Sequence, residues 1–213
     1  MLNGIKTYVF DLDGTLIESH RTIYNSMITA FDKLGIKYRL SMEEFNDNIG
    51  LHFEDIFDNY DIHVPDFEEF LTIYKKLYFR FIDDSIPYLK VEDTLKKLRE
   101  KGKKTALLTT KGQDQAELII QHFGYPQYFD LIMGRRPGIA HKPDPQPLQI
   151  ICSELETLPT ECMMVGDTEM DIRCGKNAGT ATGAATYGYR SLSFLQKEMP
   201  DYYFANLFDL TEL

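Results

Sequence analysis

The hydrophobic and polar positions divide the chain into two regions with different periods. Ile5 to Phe10 is a short apolar run rich in β-forming residues, which predicts a buried strand. From about Ser19 to Asp84 the apolar residues recur at helical spacing, and the clearest stripe runs from Phe67 to Phe81. An earlier helix is predicted over Thr22 to Leu34, ending at Gly35. We therefore expect a helical segment directly after the first strand.

After Pro87 short apolar runs alternate with helical stretches. The predicted strands are Thr105–Thr109, Phe129–Met133, Cys162–Val165 and Thr180–Ala185, and the predicted helices are Val91–Lys101, Gln113–Phe123, Gln146–Leu155 and Glu169–Asn177. This alternation is typical of βαβ units and a parallel sheet. We expect a Rossmann-like α/β core of residues 1–16 and 86–213, with helices on both faces of the sheet. Residues 17–85 would form a small helical domain inserted after the first strand.

The length and the net charge of the chain limit which classes of function are possible. The 213 residues suffice for one core and a small inserted domain. Lys and Arg number 23 against 33 Asp and Glu, and this net charge of −10 argues against a nucleic-acid partner. No apolar run is long enough to span a membrane, and the first ten residues lack the pattern of a signal peptide. The scattered cysteines indicate free thiols in a reducing compartment, so we expect a cytoplasmic protein: Cys152, Cys162 and Cys174.

Polar residues that follow the predicted strands indicate where chemistry takes place, because ligands of α/β sheets bind beyond the carboxyl ends of the strands. Asp11 and Asp13 follow the first strand at a spacing that points both carboxylates to the same side. Two such anions ~4 Å apart repel by about 4 kcal/mol at an effective dielectric near 20, so the pair requires a cation, a proton or a chemistry that uses the strain. Further polar residues follow other strands or lie in loops nearby: Thr109, Thr110, Lys111, Lys142, Asp167 and Asp171.

Four motifs occur in a fixed order along nearly the whole chain. They are Asp11-x-Asp13-Gly14-Thr15, the apolar run ending at Thr109, Lys142-Pro143, and Gly166-Asp167-x-x-x-Asp171. Together they resemble the four motifs of the haloacid dehalogenase-like hydrolase superfamily. The helical insert resembles the small α-helical cap of that superfamily. The resemblance implies an enzyme with a cap domain over residues 17–85.

The resemblance also implies a role for each motif residue. Asp11 would be the nucleophile that forms an aspartyl phosphate, and Asp13 would be the general acid and base. The substrate phosphate would be held by Thr109, Thr110 and Lys142. A Mg²⁺ ion would be bound by Asp11, Asp13, Asp167 and Asp171, since hard oxygen ligands suit this ion. Asp171 could equally serve as a capping residue in the first turn of its helix.

The motif details favour phosphate hydrolysis within this superfamily. Dehalogenases lack an acidic residue at the position of Asp13, and phosphomutases usually carry Val in place of Thr15. The segment Thr109-Thr110-Lys111 resembles phosphoglycolate phosphatases and the related inorganic pyrophosphatases. We therefore expect a phosphatase for a small phosphorylated metabolite, such as a phosphoglycolate-like monoester. An inorganic pyrophosphatase and a sugar phosphomutase are the alternatives.

A receiver domain of a signalling protein is the rival from another class. Receivers also use acidic residues, a Thr and a Lys around Mg²⁺, but the DxD spacing and the helical insert argue against one. For substrate selection, the candidates are Arg135 and Arg136 in the core and His20, Arg21 and His52 in the insert. A plain role as solvated surface residues is at least as compatible with their positions.

Overall fold

The computed structural model describes residues 4–212, which form two compact units. One unit takes in the chain up to Ile17 and again from Pro87 onward, and the other is Glu18–Ile86. Short strands lie where the chain passes between the units, β2 (Ile17–Glu18) and β3 (Ile86–Pro87). Within the described residues, no helix combines the length and the apolar character needed to cross a membrane.

A six-stranded sheet forms the centre of the larger unit. Its strands are β1 (Thr7–Phe10), β4 (Lys104–Gly112), β5 (Leu131–Arg135), β6 (Cys162–Gly166), β7 (Ala181–Ala185) and β8 (Tyr202–Phe204). They lie in the order β5-β4-β1-β6-β7-β8, and every pairing is parallel. All four residues of β1 are buried, as a strand between two parallel neighbours requires. The predicted α/β fold with a parallel sheet is confirmed.

Helices cover both faces of this sheet. They are α5 (Val91–Glu100), α6 (Gln113–His122), α7 (Gln146–Glu154), α8 (Glu169–Ala178) and α9 (Leu192–Lys197). Each of α5 to α8 buries one apolar face; α5, for example, buries Val91, Leu95 and Leu98 at helical spacing. One core cluster joins such helix residues to the strands and contains the buried thiols of Cys152, Cys162 and Cys174. This packing holds the strand ends in fixed positions.

The smaller unit is helical and has an aromatic core. Its helices are α1 (His20–Leu34), α2 (Met42–Asn46), α3 (Phe53–Asn59) and α4 (Phe67–Arg80). The stripe predicted on α4 buries Phe70, Tyr74, Leu77 and Tyr78. Phe31 of α1 packs against Phe70 with 5.4 Å between ring centroids. The stripe therefore forms helix core, as its spacing indicates.

Two parts of the sheet differ from the sequence prediction. Strand β4 continues three residues beyond the predicted end at Thr109, and its pairing with β5 shifts register between Leu108 and Gly112. Such a bulge changes the direction of the side chains within it. Strand β8 was not predicted, because its three residues are too few to show a period of two.

Candidate active site

The end of β1 brings Asp11 and Asp13 into a tight, buried turn. The backbone N–H of Asp11 still donates to the carbonyl of Val165 on β6, at 2.9 Å. Beyond it the chain turns through Gly14, whose φ of 83° lies in the left-handed region. A Cβ at Gly14 would lie 2.2 Å from the Asp167 carboxylate, so only glycine fits there. Both aspartate side chains are largely buried.

The end of β6 and the start of α8 bring in two further carboxylates. Asp167 directly follows the strand and is fully buried. Asp171 lies in the first turn of α8, where its Oδ2 accepts bonds from the N–H and the Oγ1 of Thr168, at 3.1 and 2.8 Å. Asp171 thus caps the helix through one oxygen. Its other oxygen, Oδ1, points to Lys142.

Three buried carboxylates form a group that could hold a metal ion. One oxygen each from Asp11, Asp167 and Asp171 lies within 4.8 Å of the others. These hard oxygen donors suit Mg²⁺. Within residues 4–212 this group does not include Asp13, which we also predicted as a ligand. The Asp13 carboxylate lies instead beside Lys111.

Lys142 supplies a buried positive charge among these carboxylates. Its Nζ donates to Oδ1 of Asp11 at 2.7 Å and to Oδ1 of Asp171 at 2.6 Å. Burial alone would lower the pKa of this ammonium, but Asp11 and Asp171 raise it above its ordinary value, so Lys142 stays charged. One ammonium among the three carboxylates leaves an excess of two negative charges, which one divalent cation would balance.

The excess charge shows in the pKa values of the group. Burial, with Asp171 and Asp13 nearby, raises the pKa of Asp11 to about 7, although Lys142 opposes the shift. Burial and the neighbouring Asp11 and Asp171 raise the pKa of Asp167 well above its usual range. Without a cation, the site therefore favours protonated carboxyl groups.

The bulge in β4 places Thr109, Thr110 and Lys111 at the end of that strand. The Oγ1 of Thr109 accepts a bond from the backbone N–H of Lys111 at 3.2 Å. The ammonium of Lys111 lies 3.2 Å from Oδ2 of Asp13, and both side chains are buried. Thr110 is half-buried beside them. The predicted phosphate-binding residues of this strand thus lie next to an acid–lysine pair.

A loop after β7 contributes contacts that the sequence prediction missed. The backbone N–H of Tyr189 donates to Oδ2 of Asp167 at 2.8 Å, and the hydroxyl of Thr15 donates to its Oδ1 at 3.0 Å. A Cβ at Gly188 would lie 2.3 Å from the Asp167 Cβ. Ligands of α/β sheets bind beyond the carboxyl ends of the strands. The same reasoning, applied to the end of β7, would have identified this loop.

A buried ion pair joins the same loop to α8. The Nε of Arg190 donates to Oε2 of Glu169 at 2.9 Å, and its Nη2 approaches Oε1 at 3.5 Å. Arg190 directly follows Tyr189, and Glu169 lies two residues beyond Asp167. The pair therefore ties together the two segments that hold Asp167.

The residues considered for substrate selection are placed as follows. Arg136 donates to the Gln113 side chain at 3.0 Å and to the carbonyl of Ile132 at 3.1 Å, which gives it a structural role. In the helical unit, His52 is buried and precedes α3 as its N-cap. His20 lies 3.7 Å from the Glu18 carboxylate.

Comparison with known proteins assigns the chain to a family. The model of the haloacid dehalogenase-like hydrolase family matches residues 8–185. A Clostridium perfringens protein provisionally named pyrophosphatase PpaX is 35% identical over 210 residues, covering 98% of this chain and 97% of its own. The pyrophosphatase PpaX of Halalkalibacterium halodurans is 33% identical, and the match covers 98% of this chain and 96% of that protein.

The fold also matches solved structures. The crystal structure of a predicted phosphoglycolate phosphatase from Haemophilus somnus superposes with a TM-score of 0.85 at 24% identity, covering 100% of this chain and 99% of its own. At that identity the likeness concerns the fold alone. The family match confirms the resemblance shown by the four motifs. The chain is a member of the haloacid dehalogenase-like hydrolase family.

Proposed function

We propose that this protein is a Mg²⁺-dependent phosphatase that transfers a phosphoryl group first to Asp11 and then to water. The observation that carries the proposal is the buried group of Asp11, Asp167 and Asp171 with Lys142 bonded to two of its members. A carboxylate, a fixed ammonium and room for a divalent cation are the parts that phosphoryl transfer needs, because its catalysis is mostly positioning and charge stabilisation.

The carboxylates that would hold Mg²⁺ are those of Asp11, Asp167 and Asp171, and Asp13 remains a further predicted ligand. When bound, the ion would neutralise the excess negative charge and screen the incoming phosphate. Thr15 and the N–H of Tyr189 fix both oxygens of Asp167 in advance. Such fixed ligands lower the cost of ordering the site on binding.

In the first half-reaction, a carboxylate oxygen of Asp11 attacks phosphorus and the bond to the leaving oxygen breaks. The electron pair of that bond stays on the leaving oxygen, and Asp13 donates a proton to it. The amide and hydroxyl groups of Thr109 and Thr110 and the ammonium of Lys142 bind the phosphoryl oxygens. The products of this step are an aspartyl phosphate and the leaving group.

In the second half-reaction, water attacks the phosphorus of the aspartyl phosphate. Asp13, now ionised, accepts the proton of this water, and the bond between phosphorus and the Asp11 oxygen breaks. Inorganic phosphate leaves and both aspartates return to their starting states. One residue thus serves as acid and then as base.

For the substrate, we propose inorganic pyrophosphate as the first compound to test. The support is the name of the full-length relatives, pyrophosphatase PpaX, at 35% and 33% identity. A small phosphomonoester such as 2-phosphoglycolate is the second candidate, because the segment Thr109-Thr110-Lys111 resembles phosphoglycolate phosphatases as well as pyrophosphatases. The free thiols of all three cysteines support a cytoplasmic location.

The residues Glu18–Ile86 correspond to the helical insert that resembles a cap. We propose that this unit selects the substrate, since the residues given chemical roles above all lie in the other unit. His20, Arg21 and His52 are the residues to test. Their substitution by alanine should change the ranking of substrates more than the rate of the best one.

The test is phosphate release from pyrophosphate, 2-phosphoglycolate and p-nitrophenyl phosphate, with Mg²⁺ and with EDTA. We expect release with Mg²⁺ and none with EDTA. Asp11→Asn should abolish turnover, whereas Asp209→Asn, at an exposed position, should retain it. Full activity in EDTA or an active Asp11→Asn variant would refute the proposal.

A further inference from the structure

Lys111 is a second buried lysine of the site, and the mechanism above gives it no role. Its ammonium lies 3.2 Å from Oδ2 of Asp13, and the side chains are 7% and 11% exposed. A lysine is seldom buried to this degree unless it is paired. Lys111 lies where the pairing of β4 with β5 shifts register, and its backbone N–H donates to Oγ1 of Thr109 at 3.2 Å.

The two buried lysines lie at different carboxylates. Lys142 bonds to Asp11 and Asp171, on the side where the nucleophile and the cation group lie. Lys111 lies at Asp13, the proposed acid. The acid must come within about 2.6–3.2 Å of the leaving oxygen to protonate it. The ammonium of Lys111 is therefore a near neighbour of the leaving group.

We propose that Lys111 binds the leaving group of the reaction and selects for one that is anionic, namely a phosphate. This inference rests on the proposed function, in which Asp11 is the nucleophile and Asp13 the acid. When pyrophosphate is cleaved, the bond from the attacked phosphorus to the bridging oxygen breaks. The bridging oxygen keeps the electron pair and takes the Asp13 proton, and it departs as part of phosphate.

An ammonium at this place stabilises charge on the departing phosphate. That phosphate carries negative oxygens of its own besides the bridging oxygen, and a lysine binds such a group as a point charge. The leaving group of glycerol 1-phosphate is a neutral alcohol, which needs the Asp13 proton but carries no phosphate. Loss of Lys111 should therefore affect the two substrates unequally.

A plain counterion role for Lys111 makes a different prediction. If the ammonium only held Asp13 in place, its loss would act through the acid. The effect would then fall on every substrate whose leaving group Asp13 protonates, whether or not that leaving group is charged. The pattern across substrates separates the two roles.

The experiment measures kcat/KM for pyrophosphate and for glycerol 1-phosphate in wild type, Lys111→Met, Lys111→Gln and Lys111→Arg. The value of kcat/KM reports events up to departure of the leaving group. We expect each neutral variant to lose about 100-fold on pyrophosphate, the scale for removing one preorganised charge-stabilising group, and about fivefold or less on glycerol 1-phosphate. Lys111→Arg should recover most of the pyrophosphate activity. Lys97→Met, which removes an exposed lysine of α5, is the matched control and should change neither value.

A binding measurement supports the kinetic one. Methylenediphosphonate is a pyrophosphate analogue whose bridge cannot be hydrolysed, and it should inhibit p-nitrophenyl phosphate hydrolysis. We expect Lys111→Met to weaken this inhibition about tenfold or more, with little change in inhibition by inorganic phosphate. Thermal melts of every variant confirm that the comparison is between folded proteins.

The outcomes are distinguishable. Equal losses on pyrophosphate and glycerol 1-phosphate, or no loss on either, would overturn the inference while the phosphatase proposal stands. If wild type does not hydrolyse glycerol 1-phosphate, the methylenediphosphonate result decides between the two roles. If wild type hydrolyses p-nitrophenyl phosphate but not pyrophosphate, the substrate proposal fails and the methylenediphosphonate result decides on Lys111. A wild-type protein that hydrolyses neither overturns both proposals.

Discussion

The Nζ of Lys142 lies 2.7 Å from Oδ1 of Asp11, although 131 positions separate the two residues in the chain. The same ammonium also bonds to Asp171 at 2.6 Å. One buried cation thus connects the loop before α7, the end of β1 and the first turn of α8. This arrangement fixes the proposed nucleophile before any substrate arrives.

Removal of this cation should destabilise the protein. Breaking a buried charge pair typically costs about 3–5 kcal/mol, because the partner charge is left buried and uncompensated. We expect Lys142→Met to lower the free energy of unfolding by an amount of this order in EDTA at pH 8, and by less at pH 5. Denaturant titration at both pH values measures the free energy of unfolding. Lys97→Met is the control, and an equally small effect in both variants would contradict the account.

The metal-free protein should lose stability as the pH rises. The folded protein raises the pKa of Asp11 from its ordinary 3.8 to about 7 and also raises that of Asp167. At pH values between the ordinary and the raised pKa, the folded state binds more protons than the unfolded state. The free energy of unfolding therefore falls with increasing pH. Mg²⁺ should therefore raise the melting temperature more at pH 8 than at pH 5.

The contribution of Asp11 to this pH dependence can be isolated. Asp11→Asn has no carboxyl group to titrate, so in EDTA its stability relative to wild type should increase from pH 4 to pH 8. Asp209→Asn, on the surface, provides the comparison. A constant difference between Asp11→Asn and wild type across this range would rule out the raised pKa.

The pair of Arg190 and Glu169 should matter for binding of the cation. It ties the loop of Tyr189 to α8, and Tyr189 holds Asp167 through its backbone N–H. We expect Arg190→Gln to weaken Mg²⁺ binding about tenfold, the lower end for removing an outer partner of a metal site, while KM for substrate at saturating Mg²⁺ changes little. Calorimetric titration with Mg²⁺ measures the affinity for the ion. Arg173→Gln, which removes the ion pair of an exposed arginine with Glu198, should not alter the Mg²⁺ affinity.

Substitution of Asp13 should slow the reaction in a substrate-dependent manner. General acid–base catalysis typically contributes about 10² to 10⁴-fold, and we expect Asp13→Asn to lose this on pyrophosphate. The p-nitrophenolate ion leaves without a proton, so the first step with that substrate should persist and the second should be slow. A burst of p-nitrophenol followed by a slow phase would show this, whereas wild-type rates would refute the role of Asp13.

The sequence was sufficient to predict much of the fold and to name residues that the structure places close together. Parallel strands end at one edge of a sheet, and Asp11, Lys111 and Asp167 follow strands whose apolar runs are plain in the sequence. The structure brings Asp11, Asp167 and Asp171 together, with Lys142 between them. The order of the motifs was needed to single out Lys142, since nothing local distinguishes it from a solvated lysine.

Other features could not be predicted from sequence patterns. The contact from Tyr189 to Asp167 uses a backbone N–H, which every residue except proline carries. Lys111, the partner of Asp13, lies in the part of β4 where the strand register shifts, and the apolar pattern shows only that a strand is present. The two oxygens of Asp171 divide between a helix cap and Lys142, so the capping role is present, and the role as a Mg²⁺ ligand stays a prediction.

The central claim is that phosphate passes through a covalent bond to Asp11. The most direct test quenches the enzyme in acid during turnover of its substrate with Mg²⁺, reduces the acyl phosphate with borohydride, and locates the modified residue by peptide mass spectrometry. The account predicts conversion of Asp11 to homoserine, which disappears when substrate is omitted. Rapid turnover with Asp11 unmodified, or modification of another residue in its place, would contradict it.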